Sequence, residues 1–302
     1  MGSREEVGKS GSVDVLSRGK LYVVATPIGN LGDITQRARL VLQTVDIVAA
    51  EDTRVCAKLL SHLGIKKKII SSREHNAKNS AEGILKLIRE GKHVALTTDA
   101  GTPCVSDPGA VVIKRVRGEG FPVTPIPGSS ALVAALSVWG FDFENFVFEG
   151  FFPSKKNKRD SMLEMVKIRQ LPTIFYEAPH RIIDTVDSIG RLLPETWKLT
   201  ICRELTKANE EIAVVAINEA SAWIRENDYR SRGEFVLLLS GPPDRSDNDS
   251  NFSDGKRLLE LLLPELSTKK SADIASQFLG LSRSDLYELA LEIENKKHLR
   301  KV

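Results

Sequence analysis

The sequence predicts a two-domain α/β protein with a small C-terminal helical module, and three observations predict it. From Leu21 to about residue 138, short apolar runs alternate with helical patterns. Around residues 140–145 that pattern gives way to closely spaced strands, and a polar stretch at 241–255 precedes a last set of amphipathic segments. The 302 residues are enough for about two domains. With 41% hydrophobic and 27% charged residues, the composition is that of a soluble globular chain, and no apolar run is long enough to cross a bilayer.

In the first half, strands are expected at 21–26, 46–50, 68–71, 94–98 and 122–126, with helices at 34–43, 54–63, 80–90, 110–117 and 130–138. Such βαβα alternation predicts a mostly parallel sheet covered on both faces. Gly64 and Gly91 stand where helix C-caps belong. In the second half, strands are expected near 146–150, 173–177, 198–203, 211–217 and 234–240, with helices at 158–169, 180–192 and 219–226. Too few residues separate 198–203 from 211–217 for a crossover helix, which predicts antiparallel pairing and an α+β domain. The polar segment reads as a linker, and the three amphipathic patterns beyond it read as a helix-turn-helix or, more simply, a three-helix packing unit. The resulting division is 1–19 as a disordered leader, 20–143 and 144–241 as the two domains, 242–255 as the linker and 256–302 as the helical module.

Charge and cysteine usage bound the function. A net charge of +3 is too small to imply nucleic-acid binding by itself. Cys56, Cys104 and Cys202 are far apart and lack metal-ligand spacing, so each is expected to be a small buried hydrophobe in a reducing compartment. Residues 1–19 lack an apolar h-region, which argues against a secretory signal.

The polar turns after the strands carry the functional signal. VALTTDAGTPCVSDPG (94–109) runs a strand into a turn with two aspartates, two prolines and two glycines; Asp99 ends the strand, and the turn backbone is open to a ligand. VATPIGNLGD (24–33) is either a tight strand-to-helix turn or a close-approach loop, and it is not a dinucleotide fingerprint. Glu51, Asp52 and Arg54 at the next strand end form either a salt-bridged cap or part of a site, and their coincidence with two other polar loops favours a site. His75 and Asn76 are substrate-contact candidates in a loop. In IPGSSA (126–131) one serine is explained as an N-cap, and the other leaves room for a ligand. FYEAPHR (175–181) crowds Tyr176, Glu177, His180 and Arg181 onto one strand end, more than helix initiation at Pro179 requires. Arg203, Glu204, Thr206 and Lys207 repeat that theme, followed by Arg232 and Glu234. The basic run Lys155, Lys156, Lys158 and Arg159 is a solvated helix start or, more sharply, a phosphate-binding cluster.

Taken in order, VATPIGNLGDIT, AAEDTR, EHN, DAGTPCVSDPG, IPGSSA, FYEAPHR and RELTK closely resemble the ribosomal RNA small-subunit methyltransferase I family of the tetrapyrrole methylase superfamily, over about Leu21 to Gly241. The resemblance implies a class III methyltransferase that holds S-adenosylmethionine between its domains as a homodimer and methylates the 2′-hydroxyl of a cytidine in small-subunit rRNA. It implies a cofactor site at Pro27, Ile28, Asp99, Thr102, Cys104, Ser129, Ser130 and Tyr176. A base or hydrogen-bond partner is sought among Glu51, Arg54, Glu177, Glu204 and Lys207, with His75 a further possibility. RNA contacts are expected from His75, Asn76, Lys155, Lys156, Lys158, Arg159, Arg181, Arg203 and Arg232. The partner is free rRNA or an assembled small subunit, with no membrane and no metal implied, in the cytoplasm or an organelle stroma or matrix. The rival readings are a methylase of tetrapyrroles or other small molecules and a non-catalytic RNA-binding assembly factor.

Overall fold

The computed structural model describes residues 19–73, 76–243 and 247–299. The expected leader, apart from Gly19, and the candidate His75 lie outside the described residues. β1 (Leu21–Val24), β2 (Ile47–Ala50), β3 (Lys68–Ser71), β4 (Val94–Thr97) and β5 (Val123–Ile126) form a five-stranded parallel sheet in the order β3, β2, β4, β1, β5. β2 and β4 are buried at every position, as strands covered on both faces must be.

Helices α1 (Gln36–Thr44), α2 (Thr53–His62), α3 (Ala77–Arg89), α4 (Ala110–Gly118) and α5 (Ala131–Ser137) follow the strands in turn. Their ends are set by side-chain chemistry: the Thr35 hydroxyl accepts the Ala38 N–H at 3.1 Å, and the Asp52 carboxylate accepts the Arg54 N–H at 2.8 Å. Gly64 and Gly91 follow α2 and α3 at positive φ, where the sequence placed the helix stops. Two apolar clusters form, one including Val24, Leu42, Val48, Leu60 and Ala95, the other including Leu21, Ala49, Ile84, Leu96 and Val116.

The second sheet runs β6 (Val147–Phe151), β7 (Thr173–Glu177), β10 (Phe235–Leu239), β8 (Lys198–Arg203) and β9 (Glu211–Ala216) from edge to edge. β8 and β9 pair antiparallel, as their short connection requires. A cluster including Phe152, Leu163, Phe175, Val186, Leu199 and Leu237 packs this sheet with α6 (Lys156–Arg169), α7 (Ile182–Leu192) and α8 (Ala220–Arg225). Against Ile174, Cys202, Val236 and Leu238, which alternate with residues of that cluster along their strands, sit Ala135 of α5 and Trp139, so the first sheet's last helix plugs the second sheet. Each large apolar side chain buried there is worth about 1.5–3 kcal/mol, enough to fix the two sheets against each other.

The helical module contains α9 (Asp247–Leu262), α10 (Thr268–Leu279) and α11 (Arg283–Leu299) around Leu259, Ala272, Ala275, Leu286 and Ala290. The expected linker at 242–255 needs correction, because α9 begins at Asp247 and runs through most of it. Gly255, read as a flexible linker residue, is instead a packing position: a Cβ there would lie 2.6 Å from Leu286 Cδ2. No described helix is long and apolar enough to cross a membrane. Cys56 and Cys202 are buried as expected, whereas Cys104 is only partly so, because it lies in the loop after β4 and not in a core element.

Candidate active site

Because all five strands of the first sheet run the same way, the loops following them gather beyond their C-terminal ends, where open α/β sheets bind ligands. The loops after β1 and β4 are tied by a two-way bond: Thr26 N–H donates to the Gly101 carbonyl at 2.9 Å and Gly101 N–H to the Thr26 carbonyl at 3.0 Å. The Thr102 hydroxyl donates to the Ser129 carbonyl at 3.0 Å, fastening the loop before α5. Gly29 brings the β1 loop against the second sheet's side, since a Cβ there would fall 2.4 Å from Lys207 Cγ.

These loops and the inner face of the second sheet enclose a cavity of about 460 Å³, within the range of small-molecule sites. Ile28, Asp99, Thr102, Ser130 and Tyr176 of the expected cofactor set line it. Glu51 and Glu177 contribute from the expected catalytic set. Leu205, Phe235 and Val236 give it an apolar wall. Glu234, singled out from the sequence without a role, lines it too, as do Asp107, Phe151 and Cys202, which the sequence did not place there. Asp107 carried a usable signal, being the second carboxylate in the loop already chosen for its two aspartates.

The cavity is electrostatically acidic. The Thr98 hydroxyl donates to Glu51 Oε2 at 2.7 Å, and Asp99 Oδ1 accepts the Asp52 N–H at 2.9 Å. Burial, reinforced by Glu51 and Asp52, raises the Asp99 carboxyl above its ordinary value despite the Asp52 N–H. Burial and the neighbouring charges of Glu51 and Asp99 push Asp107 up to about 6. Such a site favours a ligand bearing positive charge.

The sequence pattern described as Tetrapyrrole (Corrin/Porphyrin) Methylases matches residues 20–221, and that described as RsmI C-terminal HTH domain matches residues 249–294. The ribosomal RNA small subunit methyltransferase I of Escherichia coli O157:H7 is 41% identical over 91% of this chain and 96% of its own length. Its namesake from Neisseria meningitidis serogroup B is 42% identical over 94% and 97%. The chain belongs to the ribosomal RNA small subunit methyltransferase I family. Among solved structures, a Thermus thermophilus uroporphyrin-III C-methyltransferase complexed with S-adenosylhomocysteine aligns with a TM-score of 0.53 at 16% identity, over 74% of this chain and 97% of the other. A diphthine synthase aligns with a TM-score of 0.57 at 11% identity, over 74% and 90%. These two likenesses establish the shared fold.

Within this methyltransferase the remaining candidates divide by what their polar atoms already hold. Pro27, Cys104 and Ser129 do not line the cavity: Pro27 is buried, the Cys104 sulfur lies against Gly109, and Ser129 takes part through its carbonyl. Ser130 precedes α5 but makes no side-chain cap; the N–H of Leu132 is bonded by the Tyr176 hydroxyl. Glu177 lines the cavity as a residue, yet its side chain is inaccessible to solvent and accepts from Ala178 N–H at 2.7 Å, the Thr185 hydroxyl at 2.6 Å and Arg181 at 2.7 Å. That is a structural carboxylate.

Lys207 bridges Glu204 at 2.7 Å and Glu234 at 3.0 Å. Burial works against its charge, but the two carboxylates outweigh burial and raise its pKa, so it is an ammonium and not the neutral base considered from sequence. Glu204 is committed to Lys207 and to the Glu234 N–H at 2.9 Å. Arg54 pairs with Asp52 on an exposed turn and does not line the cavity.

Of the expected RNA contacts, Lys155, Lys156 and Lys158 are exposed on the run that follows Phe151 out of the cavity, and Asn76 is exposed before α3. Arg159 must be withdrawn, because it is 5% exposed and donates to the Ser188 hydroxyl at 3.1 Å. Helical spacing turns it inward while its lysine neighbours face water. Arg203 is equally buried, lies 3.5 Å from Glu211 and stacks on Tyr229 in a second, polar cavity lined also by Arg232. Arg181 is held by Glu177.

Proposed function

We propose that this chain transfers a methyl group from S-adenosylmethionine to the ribose 2′-hydroxyl of a cytidine in small-subunit rRNA. The observation that carries the reading is the single cavity made by loops of both sheets, acidic on one side and apolar on the other. The donor fits that division: Glu51 and Asp99 suit its positive amino and sulfonium groups, Thr102 and Ser130 offer hydroxyls, and Ile28, Leu205, Phe235 and Val236 suit the adenine. When bound, it supplies an electrophilic methyl carbon.

The chain's own residues then have three tasks. The β1, β4 and α5 loops orient the ligand through their mutual bonds, which supplies the positioning that a poor nucleophile such as a ribose hydroxyl needs. The apolar wall excludes water from the reacting centre. Lys155, Lys156 and Lys158 neutralise RNA phosphates near the cavity mouth. The C-terminal helix-turn-helix match supports the RNA reading over a small-molecule one. The aromatic group Trp139, Phe141, Phe143 and Phe146, whose last two members are 36% and 40% exposed, supports a homodimer joined through this face. The compartment this reading calls for is the one where such small subunits are assembled, the cytoplasm or an organelle stroma or matrix.

Purified protein incubated with methyl-labelled S-adenosylmethionine and unmodified small subunits tests the proposal. Label is expected on one cytidine ribose. Label on a base, or none on rRNA, would refute it.

A further inference from the structure

Resting on the methyl-transfer reading above, we propose that Asp107 is the catalytic group that accepts the proton of the ribose 2′-hydroxyl. Most of the other polar groups around the cavity are already bonded. Glu177 is saturated by Ala178, Thr185 and Arg181. Glu204 and Glu234 share the Lys207 ammonium. Glu51 takes the hydrogen of Thr98 at 2.7 Å and faces the Asp99 N–H at 3.5 Å, while Asp99 takes the Asp52 N–H at 2.9 Å. The Tyr176 hydroxyl accepts from Leu132, and burial raises its pKa, which keeps it protonated. Asp107 has the Thr98 hydroxyl as its hydrogen-bonding neighbour, and that hydroxyl's one hydrogen is the one Glu51 accepts. A carboxylate with spare acceptor capacity therefore lines the cavity at this position.

Asp107 sits on the loop between β4 and α4, where Cys104 and Ser106 both adopt the left-handed region, at φ 71° and 61°. Non-glycine residues hold that conformation only where the surroundings enforce it, and such strain gathers at functional sites. Ser106 Oγ packs on Gly150 of β6, where an added Cβ would lie 3.0 Å away, so the loop spans the crevice from one sheet to the other. Asp107 thus shares the cavity wall with Phe151, which the exposed Lys155, Lys156 and Lys158 follow in the chain.

The step balances without further reactants. The 2′-oxygen supplies the electron pair of the new C–O bond, the pair of the broken C–S bond stays on sulfur, and the hydroxyl hydrogen moves as a proton to Asp107 and from there to water. Glu51 and Asp99 from the loops after β2 and β4, the Cys104 thiol and the Tyr176 hydroxyl of β7 are the ionisable groups around Asp107. Burial, with the charges of Glu51 and Asp99, holds it at about 6, close to the operating pH that suits a base.

Asp107→Asn and Asp107→Glu, assayed on unmodified small subunits with S-adenosylmethionine affinity measured separately by calorimetry, test the assignment. Asp107→Asn is expected to lower kcat by roughly 100-fold or more, the size of a general-base contribution, and to erase the acidic limb of the kcat/KM profile near pH 6, which reports the free enzyme. Asp107→Glu is expected to restore part of the rate and the limb, and both variants should keep wild-type affinity for S-adenosylmethionine. A weakened affinity with unchanged kcat at saturation would make Asp107 a cofactor ligand and overturn the proposal. Wild-type kcat in Asp107→Asn overturns this assignment alone, whereas an inactive wild type overturns the methyl-transfer reading and the assignment with it.

Discussion

The Tyr176 hydroxyl, carried by β7 of the second sheet, accepts the backbone N–H of Leu132 at 3.1 Å in the first turn of α5, which belongs to the first. A cavity-lining side chain thereby caps a helix of the other domain, so ligand binding and the fit between the two sheets are coupled at one atom. Removing that oxygen leaves an α5 N–H without its acceptor. Tyr176→Phe is expected to cost about 1 kcal/mol of stability, read from urea unfolding, and to weaken S-adenosylmethionine binding in calorimetry.

Asp99 presents its carboxylate to the cavity while one oxygen holds the Asp52 N–H. Asp99→Ala removes a charged acceptor worth about 1.5–3 kcal/mol, so S-adenosylmethionine affinity is expected to fall by about 10-fold to 100-fold. Unchanged affinity would remove Asp99 from the cofactor site.

Asp107 carries a pH signature in the free protein. Its carboxyl is raised in the fold from 3.8 to about 6, so the stability it contributes is fully present below the unfolded value and is lost as pH rises through 6. Asp107→Asn removes that penalty. The variant should be more stable than wild type at pH 7.5 by up to ~1 kcal/mol after solvent screening, about 2–4 °C in Tm, with the difference vanishing at pH 3.5.

Glu177 and Thr185 share a 2.6 Å hydrogen bond inside the second domain, beside the ion pair to Arg181. Glu177→Ala would leave that arginine without its buried carboxylate and is expected to cost about 3–5 kcal/mol. Thermal denaturation should show a large loss, and the pH profile of any residual activity should keep its wild-type shape.

The basic run before and within α6 separates by exposure. Replacing Lys155, Lys156 and Lys158 by alanine is expected to reduce the slope of log affinity against log salt for single-stranded rRNA by about 2, with S-adenosylmethionine binding intact. Arg159→Met should do the reverse, leaving the salt slope alone while lowering Tm, because its guanidinium is spent on Ser188.

The order of strands, helices and polar turns was legible in the chain, because buried parallel strands need continuous apolar runs and their turns need glycine and proline. So was the gathering of the β1, β2, β4 and β5 loops, since parallel strands place every following loop beyond the same end. The sequence by itself therefore determined which turns meet, and the family pattern in them. Only the tertiary structure decided what each polar side chain does there. Glu177 and Arg159 are absorbed by Thr185 and Ser188, Lys207 is held as an ammonium between two glutamates, and Asp107 is left facing the cavity. Apart from the Lys207–Glu204 pair, three residues apart, the difference lies in bonds to partners 8 to 29 residues away, and no local pattern of residues encodes which acceptors such distant donors will reach.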